Sequence, residues 1–489
     1  MPDDLAVSSR TAGPPRANTI VVVLALAGIV VSLMQTLVIP LVPQLPTLVG
    51  ASASDTTWAV TATLLASAVA TPVVGRLGDM YGKRRMLLFS LALLVAGSAV
   101  AALSDALAPL VVGRALQGLA AGVIPLGISI MRDELPGERL GAATALMSAS
   151  LGVGGALGLP AAALLAERAD WHAPFWTAAC LGVLATVLVL RLVPESAVRT
   201  GGRFDLVGAA GLSIGLLCLL VAISKGAGWG WASARTLGLL GTSAAVLLLW
   251  GWWESRTGQP LVDLRTTARR QVLFTNLASA VFGFAMFAMS LVLPQVLQLP
   301  KATGYGLGET MLTVGLVLAP SGLVMMAMAP LSARVSKAKG PKVTLMLGAL
   351  VVAAGYGLSI ALMSAIWHLV LVSAVIGAGI GLAYGAMPAL FMAAVPVSET
   401  AAANSLNTLM RAMGTSISGA VAGVVLAQMT TTFGAVTLPS ADGFRVVMAI
   451  GAGAALIALV FASFLPRRSP VTATPHTTAT APATGKAMR

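Results

Sequence analysis

Long apolar stretches recur along almost the whole of this chain, and they constrain its fold more than any other feature. A helix that crosses a bilayer needs roughly 20 apolar residues, and lipid offers no partner to an unpaired backbone group. Only 10% of the residues are charged, against about 25% in soluble domains, so the pattern indicates an all-α membrane protein. We predict fourteen spans near residues 19–42, 57–75, 86–104, 109–131, 141–165, 173–193, 206–224, 237–253, 272–297, 310–332, 343–364, 368–393, 403–428 and 444–465.

The basic residues lie mainly in the short segments between alternate apolar stretches. They give the chain a formal net charge of +13, which in a soluble protein would indicate nucleic acid as a partner. Topology explains the pattern better, because the cytoplasmic loops of membrane proteins are enriched in lysine and arginine. Placing the N-terminus in the cytoplasm puts most of the 30 basic residues there. We therefore predict cytoplasmic N- and C-termini and no binding of nucleic acid.

A segment rich in glycine and charge follows the second apolar stretch. Its notable residues are Gly75, Arg76, Gly78, Asp79, Gly82, Lys83, Arg84 and Arg85. Glycines allow two helices to turn and to approach closely. Asp79, the one acid here, could accept hydrogen bonds from a neighbouring helix N-terminus or pair with Arg85. Such a contact can form in one conformation and break in another, so we predict a gating segment in the loop between the second and third spans; the alternative is an ordinary basic turn.

This gating segment resembles the signature loop of the major facilitator superfamily at nearly every position. The stretch LVVGRALQGLAAG, with Arg114 and Gln117, resembles the second motif of that superfamily. GGRFDLVG (201–208), WGW (229–231) and PLVDL (260–264) resemble the two extra central spans of its fourteen-span drug–proton antiporter branch. The resemblance implies a transporter and not an enzyme, one that exports small amphiphilic molecules and is driven by the proton gradient without a cofactor.

The resemblance also implies a domain organisation in which two six-helix bundles rock around a central cavity. We divide the chain into a cytoplasmic tail (1–18), a six-helix bundle (19–193), two extra transmembrane helices with linkers (194–271), a second six-helix bundle (272–465) and a disordered cytoplasmic tail (466–489). A faint internal repeat agrees with two halves, since aligning Gly82 with Gly340 sets Arg76 against Arg334 and Asp79 against Lys337. The expected protein is a monomer in the inner membrane of a bacterium, in contact with lipid.

The fifth span combines glycines with a proline. Gly154 and Gly158 form a GxxxG face that permits close helix packing, and Pro160 removes one backbone hydrogen bond and bends the helix. The region resembles the antiporter motif of the family, although Ala162 and Ala163 stand where that motif has a pair of glycines. The alternative is a plain packing face.

Polar residues inside the spans are the candidates for a transport cavity. A charge at membrane depth is costly and normally faces a cavity or a partner. The candidates are Gln35, Arg114, Gln117, Gln295, Asn404, Asn407 and Arg411. Asn404 and Asn407 share a helical face with Arg411. For the two arginines, the alternative is a structural role, with the guanidinium tied to backbone carbonyls.

No Asp or Glu lies in the middle of any predicted span, although family members often have an aspartate in the first span, where this chain has Met34. Proton coupling needs a group whose pKa is shifted by burial. Our hypothesis is that Asp133 or Glu309 has this role; the alternative for each is a solvated or helix-capping residue. Without a central carboxylate, Arg114 and Arg411 favour neutral or anionic substrates.

Two other classes of function stay open. One is a carrier of the same fold that imports, or exports, a single endogenous metabolite. The other is a polytopic lipid flippase or membrane enzyme, which is disfavoured because the sequence has no cluster of His, Asp and Glu at one interface, and no metal site is expected.

Overall fold

The computed structural model describes residues 14–38, 41, 45–433 and 436–466, and within them fourteen helices are long and apolar enough to cross a membrane. This number confirms the prediction. Both predicted tails lie largely outside the described residues. In chain order the helices are α1 (Pro14–Thr36), α2 (Trp58–Tyr81), α3 (Lys83–Ala102), α4 (Leu107–Glu134), α5 (Gly137–Arg168), α6 (Ala173–Leu192), α7 (Leu206–Trp229), α8 (Ala234–Arg256), α9 (Arg270–Gln298), α10 (Met311–Lys339), α11 (Pro341–Ala361), α12 (Ile366–Met392), α13 (Thr400–Gln428) and α14 (Ala441–Ser463).

Several boundaries differ from the prediction. Helix α1 ends at Thr36, short of the expected residue 42, and is followed by short helices at Leu45–Leu48 and Ala53–Thr56. Helix α4 contains a 3₁₀ turn at Leu119–Gly122, and another short helix, Leu264–Thr267, precedes α9. An antiparallel hairpin of β1 (Thr430–Phe433) and β2 (Val436–Pro439) joins α13 to α14.

The gating segment is mostly helical, which corrects the prediction that it forms a loop. Residues 75–81 are the end of α2 and residues 83–85 begin α3, so the turn consists of Gly82 alone. Gly82 has φ 121°, a conformation that only glycine adopts readily. Gly340 makes the same one-residue turn between α10 and α11 with φ 92°. The correspondence supports the internal repeat.

The helices form two bundles, each around its own apolar core. In the first bundle, α1 to α6 bury residues such as Leu24, Leu91 and Met131. In the second, α9 to α12 and α14 bury Phe282 and Phe444 among others. Because lipid tails are as apolar as these side chains, the helices associate through van der Waals packing and not through the hydrophobic effect. The exact domain boundaries stay a prediction.

Glycines allow the two bundles to touch. A Cβ at Gly322 of α10 would lie 2.1 Å from the carbonyl oxygen of Gly152 in α5, and a Cβ at Gly315 would lie 2.7 Å from the nitrogen of Pro160. On the other side of the molecule, a Cβ at Gly75 of α2 would lie 2.9 Å from the carbonyl oxygen of Ala401 in α13. Side chains larger than hydrogen would separate the bundles at these points.

Helices α7 and α8 lie outside the bundles, as the family resemblance implies. Helix α7 packs Leu212 and Leu216 against Leu65 of α2 and Leu409 of α13. Among the described residues, helix α8 is the least buried of the fourteen spans, and Leu248, which is 76% exposed, is one of the side chains that it presents to lipid.

Candidate functional site

Asp79 joins the two halves of the chain at the end of the molecule that carries the gating segment. Its carboxylate accepts hydrogen bonds from the backbone nitrogens of Ala401 (3.3 Å) and Ala402 (2.9 Å), in the first turn of α13. These N–H groups have no partner within their own helix, and the positive end of the helix dipole favours an anion there. Of the two contacts predicted for Asp79, the helix N-terminus is confirmed; Arg85 instead lies 3.8 Å from Glu195.

Lys83 lies in a buried ion cluster that we define by Asp79, Lys83 and Asp133. Its Nζ atom is 2.6 Å from Oδ2 of Asp133 and 3.8 Å from Oδ1 of Asp79, and the side chain is fully buried. The hydroxyl of Ser196 also donates to Asp133. Asp133 is therefore neither solvated nor a helix cap, contrary to the alternative stated above. The cluster ties α2 and α3 to the end of α4.

Arg132 makes a second connection between the bundles that the sequence analysis did not identify. Its guanidinium donates to the carbonyl oxygen of Met392 at 2.8 Å and to the hydroxyl of Thr400 at 2.6 Å. Within the second bundle, Arg269 and Gln271 donate to the carbonyls of Ala394 and Leu390 and hold the start of α9 to the end of α12. The contacts of Arg132 and Asp79 together close this end of the molecule. The sequence indicates Arg132 only through its position next to Asp133, at the end of the fourth predicted span.

The remaining charges of the gating segment lie outside the ion cluster. The backbone nitrogen of Arg84 donates to the carboxylate of Glu195 at 3.2 Å, and its guanidinium donates to the carbonyl of Leu190. Arg85 is 71% exposed, and Arg76 is half-buried beside a cleft. Glu195, which the sequence analysis missed, holds the start of α3 to the chain that follows α6.

Arg114 is buried, and its contacts match the alternative of a structural arginine rather than a cavity residue. Its guanidinium donates to the carbonyl oxygens of Ala59 and Met34, each at 2.9 Å, and to Oε1 of Gln117 at 2.7 Å. It also approaches the carbonyl of Gln35 at 3.5 Å. Met34 and Gln35 belong to the last turn of α1, where carbonyls have no donor within the helix. Arg114 therefore caps α1 and ties it to α2 and α4.

A central cluster of polar side chains lies between the bundles, deeper than the gating segment. We define it by Asn276, Tyr384, Asn404, Asn407 and Arg411. The guanidinium carbon of Arg411 lies 5.1 Å from the centre of the Tyr384 ring, which is a cation–π contact. Asn407 donates to Oδ1 of Asn276 at 3.0 Å, and Asn404 donates across the interface to the carbonyl of Pro125 at 3.3 Å.

Four residues of the central cluster line a small cavity, and in the described part of the chain two residues of the cluster have a buried polar atom without a hydrogen-bond partner. The cavity has a volume of about 10 Å³ and is lined by Arg411, Asn404, Asn407 and Tyr384, so this conformation is closed around it. Among the described residues, the hydroxyl of Tyr384 and the Nδ2 atom of Asn276 have no hydrogen-bond partner although they are buried. Buried polar atoms of this kind are uncommon and need an explanation.

Other predicted site residues lie apart from the central cluster. Gln295 donates to the carbonyl of Leu291 in its own helix, and Gln117 donates to the hydroxyl of Ser98. Glu309 is half-buried and lies in the connection before α10. It is not part of the ion cluster of Asp79, Lys83 and Asp133. Tyr384 and Asn276 were not predicted, because neither shares a helix with Arg411, whereas Asn404 and Asn407 do.

The glycines of the fifth span pack against α1. A Cβ at Gly154 would lie 2.6 Å from the carbonyl oxygen of Ile29, and a Cβ at Gly158 would lie 1.9 Å from the hydroxyl oxygen of Thr36. Pro160 faces Gly315 of α10 instead. The predicted GxxxG face is thus a packing face, and whether it also controls antiport stays open as a prediction.

Comparisons with known proteins agree with this architecture. Residues 24–419 match the family model described as Major Facilitator Superfamily. The chain is 31% identical over 345 residues to the tetracenomycin C resistance and export protein of Streptomyces glaucescens, covering 68% of this chain and 62% of that protein. It is 27% identical over 373 residues to the multidrug resistance protein Stp of Mycobacterium tuberculosis, covering 76% of this chain and 68% of that protein.

The solved structure of the human organic anion transporter MFSD10 has the same fold. The two superpose with a TM-score of 0.64 at 17% sequence identity, over 92% of this chain and all of the other. Some other curated relatives are matched over only about half of their own length, 46% and 52% in two cases. Because the family model covers most of the chain and the fold agrees, this protein belongs to the major facilitator superfamily, a family of multi-pass membrane transporters and not of enzymes.

Proposed function

We propose that this protein is a secondary active transporter that exports drug-like amphiphilic molecules by alternating access, in exchange for protons. The proposal draws on relatives that are named for multidrug resistance and for the export of tetracenomycin C. We place the protein in the inner membrane of a bacterium. The gating segment and both termini face the cytoplasm in this proposal, because most lysines and arginines then lie on that side.

The observation that carries the proposal is the closure of one end of the molecule over the central cluster. Asp79 and Arg132 connect the first bundle to α12 and α13 at this end. Arg411 lies a further three turns along α13, away from the closed end. Breaking the contacts of Asp79 and Arg132 would open the central cluster to the cytoplasm, which is the movement that alternating access requires.

The central cluster favours neutral or anionic substrates. Arg411, the Tyr384 hydroxyl and the Asn276 amide are all hydrogen-bond donors, and none of the described residues that line the cavity is acidic. Donors of this kind suit carboxylate, phenolate or carbonyl oxygens, and a buried guanidinium gains from an anionic partner.

A drug-susceptibility panel in an efflux-deficient bacterial host tests the proposal. Expression of the protein is expected to raise resistance to several unrelated amphiphiles, and a proton uncoupler is expected to abolish the effect. Resistance to a single compound would select the second candidate, a dedicated exporter, which the relative named for tetracenomycin C favours. If no compound were tolerated better, drug export would be rejected.

Replacing Arg411 with methionine is expected to reduce export of anionic compounds at least tenfold while the protein accumulates normally. A hydrogen bond to a charged group contributes about 1.5–3 kcal/mol, and Arg411 supplies the only positive charge that lines the central cavity among the described residues. Uptake into inside-out vesicles measures this effect. Gln295→Leu is the control, because the side chain of Gln295 donates to Leu291 of its own helix and does not line the central cavity; equal losses in both variants would contradict the assignment.

Replacing Asp133 with asparagine is expected to lower proton-driven export about tenfold, since this carboxylate is the buried proton-coupling candidate. Substrate counterflow, which needs no proton gradient, is expected to change less than twofold. Glu309→Gln serves as the matched variant, because Glu309 is the other candidate. Unchanged coupling in both variants would eliminate the hypothesis, and a parallel loss of counterflow in Asp133→Asn would assign Asp133 to structure alone.

A further inference from the structure

A cleft with a volume of about 910 Å³ opens beside the gating segment, outside the central cluster. It lies between the end of α8, the short helix Leu264–Thr267, α2 and the first turns of α13. The volume is within the range of about 300–1,000 Å³ that is usual for pockets that bind small molecules. Nothing in the transport mechanism described above uses this cleft, which we call the basic cleft.

The linker motifs hold the basic cleft in shape. The carboxylate of Glu254 accepts hydrogen bonds from the backbone nitrogens of Leu261 (3.1 Å) and Val262 (3.3 Å), and Gln259 accepts one from the nitrogen of Arg203 at 2.5 Å. Leu261 and Val262 are buried against α7 and α2. Residues 199–201 and 254–268, which are far apart in the sequence, therefore line the same cleft, and the hydrogen bond from Arg203 to Gln259 joins the two segments.

Positive charge dominates the lining of the basic cleft. The arginines that line it are Arg76, Arg199, Arg256 and Arg265. Among the described residues, none of these four takes part in a salt bridge. The exposed Arg256 places its guanidinium carbon 4.4 Å from the centre of the Trp252 ring, which is a cation–π contact.

The carboxylates of the basic cleft are largely engaged by the protein itself. Glu254 accepts the two backbone bonds described above. Asp263 accepts bonds from the nitrogen of Arg265 at 2.9 Å and from the hydroxyl of Thr266 at 2.6 Å. Partial burial raises the pKa of Asp263, but these hydrogen bonds outweigh it and hold the pKa below its usual value. Glu399 is the one further acid in the lining, so the net charge offered to a ligand is positive.

Apolar side chains complete the basic cleft. Pro72 of α2, Val272 of α9 and Leu406 of α13 line it together with Leu261 and Val262. We propose that the basic cleft is a binding site for an anionic amphiphile, a molecule with a negatively charged headgroup and an apolar tail. The headgroup pairs with the arginines at the rim, and the tail lies along the apolar wall. Arginine is well suited to carboxylate, sulfonate and phosphate groups because its planar fork binds two oxygens at once.

The position of the basic cleft links its occupancy to the gating segment. Ala402 lines the cleft and also donates its N–H group to Asp79. Arg76 lies one turn before Asp79 on α2. A ligand that contacts α2 and α13 together therefore bridges the two bundles at the closed end, and it binds this conformation better than one in which they separate.

Native mass spectrometry of the whole protein in a nonionic detergent tests the binding site without any transport step, so its outcome is independent of the proposed function. The probes are palmitoyl-oleoyl phosphatidylglycerol and phosphatidylcholine, which have the same tails and differ in headgroup charge. We expect phosphatidylglycerol to bind in preference. The double variant Arg256→Gln/Arg265→Gln is expected to weaken its binding about fivefold, the order expected for the loss of two partly exposed charge pairs, with phosphatidylcholine unaffected.

The matched control is Arg191→Gln/Arg334→Gln, which removes two exposed arginines that do not line the basic cleft. Binding within twofold of the wild type is expected for this control. Equal loss in both double variants, no loss in either, or equal binding of the two lipids by the wild type would overturn the proposal. Octyl phosphate, a short soluble amphiphile, distinguishes a soluble ligand from a lipid ligand. If octyl phosphate displaces phosphatidylglycerol, the site binds soluble anionic amphiphiles. If phosphatidylglycerol stays bound, the site is selective for an anionic lipid; either result agrees with the proposed chemistry.

Discussion

Replacing Asp79 with asparagine is expected to open the gating end of the molecule and to reduce drug export at least tenfold. The asparagine keeps the shape of the side chain but removes the charge that accepts the N–H groups of Ala401 and Ala402 and faces Lys83. A hydrogen bond to a charged group contributes about 2 kcal/mol. The population of the open form, relative to that of the closed form, should therefore rise about 30-fold. A cysteine reporter at Ser405, which is fully buried where α13 meets Gly75, measures the change.

The reporter Ser405→Cys is placed in a chain whose native Cys180 and Cys218 are replaced by serine. Labelling by a membrane-impermeant maleimide from the cytoplasmic side is expected to be slow with Asp79 and at least tenfold faster with asparagine. Arg85→Gln is the control, because Arg85 is 71% exposed and its pair with Glu195 is long, so less than a twofold change is expected. Equal labelling rates in all three proteins would contradict a gating role for Asp79.

Replacing Arg114 with methionine is expected to lower the amount of folded protein at least fivefold. Methionine fills much of the same volume but donates no hydrogen bond, so the carbonyls of Ala59 and Met34 and the amide oxygen of Gln117 lose a charged donor in a buried position. Breaking a buried charged network of this kind costs about 3 kcal/mol, which is enough to reduce cellular abundance severalfold. Fluorescence-detected size-exclusion chromatography of detergent extracts measures the folded fraction.

Arg411→Met is the matched control for this prediction. Both residues are arginines inside spans, but the guanidinium of Arg411 rests on the Tyr384 ring rather than on a set of carbonyls. Its folded amount is expected to stay near that of the wild type. If Arg114→Met accumulates normally and loses export instead, Arg114 belongs to the transport cavity, as the sequence analysis predicted.

The candidate site could be predicted in part. Asp79 and the glycines around it were selected from the sequence, because glycine spacing and a single acid among basic residues are visible locally, and Asp79 does contact the start of α13. Arg411, Asn404 and Asn407 could also be grouped from the sequence, because they lie on one helix. Tyr384 could not be included, since it comes from α12, and nothing local indicates which helix faces Arg411. Whether Asp133 is buried or solvated was left open for the same reason: the exposure of a charge at the end of a span depends on neighbours that the sequence does not identify.

The number of spans and their helical state follow from the sequence alone, because lipid requires every backbone group to be paired within a run of about 20 apolar residues. The turns at Gly82 and Gly340 are determined equally locally, since φ values of 121° and 92° are readily adopted only by glycine. The tertiary structure alone decided that Asp79 holds a helix that begins more than 300 residues later, that Lys83 is buried between two carboxylates and that Arg114 caps α1. These contacts depend on which helix ends the folded bundles bring together, and hydropathy carries no information about that choice.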